Sequence, residues 1–270
     1  MSTDDSRLLG DIDVAWTECG SGRRVVLVHG LAEDRRTWVH QQQALADLRT
    51  FAYDLRGHGD SSVGDADGSL AQLGGDLVRF LEEVTGPAAV VGFSLGGTIA
   101  LWAAAERPDL VDGLVVLGTS SVVGRGAIGF YEDRIAKAAD PDSPAFRDAV
   151  RDDTEAGLDR LPDELSGGLA AVVDARLHAV GDGRGYVNAA RAMAALNAEP
   201  LTPRLGEIAQ HVDVVGAAKD AFCPPKAAAI ITDALTDATY HEIPDAGHLM
   251  NVDNPNAVTA VLRHALTGRN

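Results

Sequence analysis

Short, continuously apolar runs alternate along this chain with longer stretches in which apolar residues recur every three or four positions. The runs are Val25-Val26-Leu27-Val28, Phe51-Ala52-Tyr53, Ala88-Ala89-Val90-Val91, Leu114-Val115-Val116-Leu117, Val212-Asp213-Val214-Val215 and Thr239-Tyr240-His241-Glu242-Ile243, preceded by Ile12-Asp13-Val14-Ala15-Trp16. Each has the length of a strand, and a run apolar at every position suits a strand covered on both faces. Apolar residues at 70, 73, 77, 80, 81 and 84 fall on one helical face, opened by a capping-box pattern at Ser69 and Gln72. Asn254-Pro255 reads as a cap and a first-turn proline, followed by the apolar face Val258, Val261, Leu262, Ala265 and Leu266. Strands alternating with helices predict an α/β fold, a mostly parallel sheet covered by helices.

Residues 119–204 break this rhythm. They contain no clear strand, and Pro141, Pro144, Pro162 and the Gly181-Asp182-Gly183 turn interrupt their helical periodicity. The expected organisation is a core of residues 1–118 and 205–270, with 119–204 inserted between two strands as a helical lid.

Composition narrows the function classes. A chain of 270 residues admits one large α/β domain or two small ones, and 46 % hydrophobic residues suffice for a full core. With 40 acidic against 23 basic residues the net charge is −17, which argues against nucleic acid and anionic membranes as partners. Asp outnumbers Glu 29 to 11 and Arg outnumbers Lys 20 to 3. Either adaptation to high salt or the codon bias of a GC-rich genome would account for that balance. Cys19 and Cys223 are the two cysteines, and nothing resembles a metal-ligand spacing. The first ten residues are polar and acidic with no signal-peptide pattern, and the most apolar stretch, 99–105, is too short to span a membrane. A reduced, cytoplasmic setting is expected. The oligomeric state is left open.

The chemistry centres on Gly92-Phe93-Ser94-Leu95-Gly96, which follows the apolar run 88–91 and precedes a helical run. A serine at a strand-to-helix turn sits in strained backbone, so its neighbours must be small. The helix that follows aims free N–H groups back at it. A serine hydroxyl needs a base. His248 is the candidate, in the loop Pro244-Asp245-Ala246-Gly247-His248 after the last strand. His40, His178, His211, His241 and His264 lack comparable context. The carboxylate that would orient the histidine is Asp220, at the end of the strand that begins at Val212, with Asp245 as its rival. Two backbone donors of an oxyanion hole are assigned to Leu95, next to the serine, and to Leu31 in the loop Val28-His29-Gly30-Leu31. His29 is expected to pin that loop. Asp54-Leu55-Arg56-Gly57-His58-Gly59-Asp60-Ser61 reads as a structural Gly-rich loop.

His29-Gly30, residues 54–61, Gly92-Phe93-Ser94-Leu95-Gly96-Gly97, Asp220 and Gly247-His248 together resemble the α/β-hydrolase superfamily, over residues ~10–118 and ~205–268. Length, Trp38 and a single helical lid look like the 3-oxoadipate enol-lactonase and cofactor-free haloperoxidase branch. The resemblance implies two-step acyl transfer on small esters or lactones by Ser94, His248 and Asp220, without cofactor or metal. Phe93, Phe222, Leu249 and Met250 adjoin these residues in sequence, and Phe130, Tyr131, Tyr186 and Met193 would hang from the lid. Phe93, Phe222, Tyr186 and Met193 are taken as the substrate-binding set. Hydrolysis of carbon–carbon bonds in ring-cleavage products, peracid formation, and a non-catalytic receptor on the same fold stay open as alternatives.

Overall fold

The computed structural model describes residues 2–160 and 167–268. Eight strands form one sheet: β1 (Ser2–Leu9), β2 (Ile12–Cys19), β3 (Arg24–Val28), β4 (Arg49–Tyr53), β5 (Ala88–Phe93), β6 (Val111–Leu117), β7 (Val212–Ala217) and β8 (Ala238–Ile243). Their order is β1-β2-β4-β3-β5-β6-β7-β8. The pairs β1/β2 and β2/β4 are antiparallel and all the others parallel.

Seven of these strands fall on the apolar runs. β1 is the addition, because seven of its eight residues are exposed and only Leu9 is buried. It carries no apolar pattern and is held by backbone pairing to β2 from Ser2↔Cys19 to Leu9↔Ile12. Polar side chains on an edge strand also discourage pairing with other chains.

The pleat of the central strands sorts their side chains into two cores. Val26, Val28, Val90, Leu114, Val116 and Val214 face one layer, with α2 (Leu70–Phe80), α3 (Leu95–Glu106) and α8 (Pro225–Ala234). Val25, Leu27, Val91, Val115, Leu117 and Val215 face the other, which α10 (Pro255–Thr267), packed beside α1 (Val39–Ala44), covers through Val258 and Leu262. The caps read from sequence are made: Ser69 accepts from Gln72 N–H and Asn254 from Ala257 N–H. The Gln72 side chain is drawn elsewhere, to Asp65 O and to Asn188 of the helical insertion.

That insertion lies between β6 and β7 and carries α4 (Arg125–Ala138), α5 (Pro144–Gly157), α6 (Gly168–Val180) and α7 (Arg184–Ala195). Pro144 opens a helix instead of breaking one: it follows the N-cap Ser143, where a missing N–H costs nothing. Gly181–Gly183 is the turn between α6 and α7. Pro162 lies outside the described residues. A third core, with Phe146, Val150, Val173, Val180 and Tyr186, ties the inserted helices to Ala32 in the loop after β3. Among the described residues no helix is long and apolar enough to cross a membrane.

Candidate active site

Ser94 is the only residue between β5 and α3. Its backbone, φ 52° and ψ −118°, lies where a side chain is strained by about 1–3 kcal/mol, so its surroundings must impose it. They do so from both ends. Ser94 N–H donates to Leu117 O at 2.8 Å, and Ser94 O accepts from Thr119 Oγ1 at 2.5 Å and Gly97 N–H at 3.0 Å. The flanking glycines are required by close approach: a Cβ at Gly92 would strike Gly96 O, and one at Gly96 would strike Val28 O.

The three side chains selected from sequence meet in one hydrogen-bonded line. Ser94 Oγ is 3.0 Å from His248 Nε2, and His248 Nδ1 is 2.9 and 3.0 Å from the two oxygens of Asp220. Asp220 Oδ1 also accepts from Phe222 N–H at 2.9 Å and Cys223 N–H at 2.7 Å, which fixes the carboxylate in its loop after β7. With Nδ1–H donating to the carboxylate, Nε2 presents its lone pair to the Ser94 hydroxyl. The rival Asp245 is exposed and takes a turn conformation at φ 51°.

Asp253 completes this loop and carried no signal in the sequence. It is buried in α9 (Met250–Asp253) and accepts from Gly247 N–H at 2.7 Å, Asp159 N–H at 2.9 Å and Arg160 N–H at 3.0 Å. One carboxylate thereby fastens the histidine loop to the segment after α5.

Leu31 and Leu95 both border the space above Ser94. Leu95 is the first residue of α3, so its N–H has no intrahelical acceptor. Gly30 N–H, one residue before Leu31, is taken by Glu33 Oε2 at 3.0 Å. Among the described residues none accepts from Leu31 N–H. His29 pins the loop as expected: Nε2 accepts from Leu55 N–H at 2.9 Å, and Nδ1 lies 2.8 Å from Gly30 O. Burial pushes the His29 pKa down to about 4. His58, whose ring centroid is 5.5 Å away, is pushed to about 4 by burial and then by the neighbouring ring. The rest of the 54–61 loop is structural: buried Asp54 pairs with Arg35, and buried Arg56 with Asp11 and Asp76.

Above Ser94 lies a cavity of about 270 Å³. Phe93, Phe222, Tyr186 and Met193 all line it, as do Phe130, Tyr131 and Leu249. The Phe93 and Phe222 rings flank His248, with centroids at 5.1 and 5.3 Å. Tyr186 also packs edge-on against Phe146 at 5.4 Å, so it belongs to the third core as well. Met250 is not among the lining residues; it is fully buried in the sheet's second core layer. Arg176 and Asp153, which the sequence did not single out, complete the polar part of the wall.

This arrangement places a hydroxyl, a base with an oriented tautomer and unpaired N–H groups around one cavity, as nucleophilic attack on a carbonyl requires. Residues 23–255 match the alpha/beta hydrolase fold, and the chain belongs to that family. Among curated proteins it is 31 % identical over 279 residues to BpoC of Mycobacterium tuberculosis, a provisionally named non-heme bromoperoxidase, covering 93 % of this chain and 97 % of BpoC. It is 29 % identical over 255 residues to the lipase LipV of the same organism, covering 91 % and 94 %. Among solved structures, the enol-lactonase of Burkholderia xenovorans superposes with a TM-score of 0.85 at 23 % identity, covering 97 % of this chain and 100 % of that one. At that identity the likeness is one of fold.

Proposed function

We propose that this hydrolase cleaves small carboxylic esters or lactones through an acyl-enzyme on Ser94. The observation that carries the reading is the line Ser94 Oγ–His248 Nε2–Asp220 at hydrogen-bond distances under a cavity lined mainly by apolar residues. Ser94 attacks the carbonyl carbon while His248 Nε2 takes its proton. Leu31 and Leu95 N–H groups receive the oxyanion. His248 then protonates the leaving oxygen, and water, deprotonated by the same nitrogen, releases the acid. Asp220 holds the imidazole in its tautomer and stabilises the imidazolium. These steps need no cofactor. Helices α4 to α7 act as the lid that sets acyl size, over a core of residues 1–118 and 205–270. The name of LipV points to the same chemistry. Cys19 and Cys223 are free, which suits a reducing cytoplasm.

The test is covalent. A fluorophosphonate should label the wild-type chain at Ser94 and leave Ser94→Ala unlabelled. On a responsive short ester, Ser94→Ala should lose about 10³-fold or more in kcat with its melting temperature nearly unchanged, because the hydroxyl does chemistry and not packing. Retention of more than about a tenth of wild-type kcat would remove Ser94 from the mechanism.

A further inference from the structure

Leu31, in the loop after β3, borders the cavity above Ser94, and the aim of its N–H is set by its neighbours. A planar trans peptide points its C=O and N–H in opposite directions, so whatever holds Gly30 O also aims Leu31 N–H. His29 holds Gly30 O. Its Nε2 accepts from Leu55 N–H, so the proton sits on Nδ1, which donates to Gly30 O at 2.8 Å. Gly30 N–H, one peptide earlier, donates to Glu33 Oε2 at 3.0 Å. The residue between these two holds must be glycine, because a Cβ there would lie 3.0 Å from the Phe93 ring and 3.2 Å from Glu33 Oε2. Glycine restricts its own backbone least, so both holds are needed to define it.

Glu33 is built into this place. It is buried, and its other oxygen pairs with Arg176 of α6, 3.8 Å from Nη1. Burial raises the Glu33 pKa, and Arg176 is the strongest influence in the opposite direction, so the inserted helix favours the ionised form. An ionised oxygen is a stronger acceptor for a backbone N–H than a neutral one. Glu33 is not among the residues that line the cavity above Ser94; with Arg176 it borders a second cavity of about 550 Å³. Its carboxylate thus acts on the backbone and not on a substrate. A buried carboxylate is costly unless it is paired and hydrogen-bonded, and here one of its two oxygens is given to a single N–H beside the donor Leu31.

We propose that Glu33 is a positioning residue for the oxyanion hole: by holding Gly30 N–H it fixes the Gly30 backbone and, through it, the aim of Leu31 N–H. The proposal rests on the hydrolase reading for the use of that donor, and on the Glu33–Gly30 contact for the hold itself. A donor that meets its full partner only when charge develops on the substrate oxygen is felt in kcat and not in ground-state binding.

The experiment compares Glu33→Ala, Glu33→Asp and Glu33→Gln with the wild type on a short 4-nitrophenyl ester. Glu33→Ala should lower kcat by about 10²-fold, the lower end of what loss of an oxyanion donor costs. KM should stay within about threefold, since the substrate is bound as before. The inhibition constant of a trifluoromethyl ketone, whose adduct with Ser94 carries the oxyanion, should rise by a similar factor to the loss in kcat. Glu33→Gln keeps an oxygen for Gly30 N–H and should recover about tenfold or more of the lost kcat. Glu33→Asp draws the acceptor back by one methylene and should lose about tenfold with the same parallel rise for the ketone, which gives an answer if the alanine variant does not fold. A folded Glu33→Ala or Glu33→Asp with unchanged ketone inhibition, or a folded Glu33→Gln no better than Glu33→Ala, would overturn the proposal. A second measurement needs no turnover: amide hydrogen exchange at Gly30 should quicken in Glu33→Ala and stay near wild type in Glu33→Gln. Unchanged exchange in Glu33→Ala would refute the hold. Failure of the wild type to turn over any ester would count against the hydrolase reading, while exchange at Gly30 would still decide whether Glu33 fixes the loop.

Discussion

Asp220 and Asp245 compete, on sequence alone, to orient His248, and the fold separates them by burial. Asp220 is 5 % exposed and accepts from His248 Nδ1 and from two backbone N–H groups. Asp245 is exposed at a turn. Asp220→Asn should therefore lower kcat on a short ester by about 10⁴-fold, since an amide no longer fixes the imidazole tautomer. Asp245→Asn should stay within about threefold of wild type, as a surface change away from the hydrogen-bonded line. Steady-state kinetics of the two variants decides the matter, and the opposite ranking would transfer the role to Asp245. Ser94, Asp220 and His248 were legible because each follows a strand in an order tied to known chemistry. Glu33 and Asp253 were not. Their task is to hold backbone N–H groups, Gly30 for one and Gly247, Asp159 and Arg160 for the other. A carboxylate that serves the backbone leaves no pattern of side-chain types along the chain.

Among the elements, the helical insertion is the one we propose sets selectivity. α7 sends Tyr186 and Met193, seven positions apart and so on one helical face, to the cavity wall. Met193 is 5 % exposed and packs in the first core layer, so its truncation has two consequences. Met193→Ala should cost about 2–5 kcal/mol of stability through the space it leaves. It should also shift the ratio of kcat/KM between octanoate and acetate esters by about 10-fold or more, because a short acyl chain scarcely meets the wall. Assays on folded protein across acetate to octanoate esters test this, and equal losses at every length would leave Met193 a packing residue only. β1 and α5 mark the limits of periodicity as a guide. β1 exists through backbone pairing that its polar side chains do not announce. Pro144 punctuates a helix start that sequence took for an interruption.

At the scale of the whole molecule, acidification sets two tendencies against each other. Protonating carboxylates relieves the repulsion of a chain with net charge −17, and burial raises the pKa of Glu33, Asp54 and Asp76. His29 and His58 act in the opposite sense and at higher pH. Burial lowers each from 6.5 to about 4, so between those values the unfolded chain binds more protons than the folded one. Stability is then lost as pH falls through that window, by about 3 kcal/mol for each ring at most. The melting temperature at constant ionic strength should fall from pH 7 to pH 5, above the range where most carboxylates titrate. His58→Gln, which removes one of the two rings, should flatten the slope. A melting temperature unchanged between pH 7 and pH 5 in the wild type would show that the two rings do not control acid stability.

The sequence by itself determined the buried central strands, the helices over them, the strained serine between Gly92 and Gly96, and the candidates for its partners, His248 with either Asp220 or Asp245. Those features are local: an apolar run, a cap or a tight turn depends on residues adjacent in the chain. The tertiary structure decided which aspartate faces His248, which carboxylates hold the Gly30 and Gly247 backbones, that Met250 belongs to the core, and that Arg176 pairs with Glu33 beside the cavity. Each of these depends on atoms brought together from distant segments. Whether a charge is paired, and whether a side chain faces a wall or a core, is a property of the packed neighbourhood and not of the chain that supplies it.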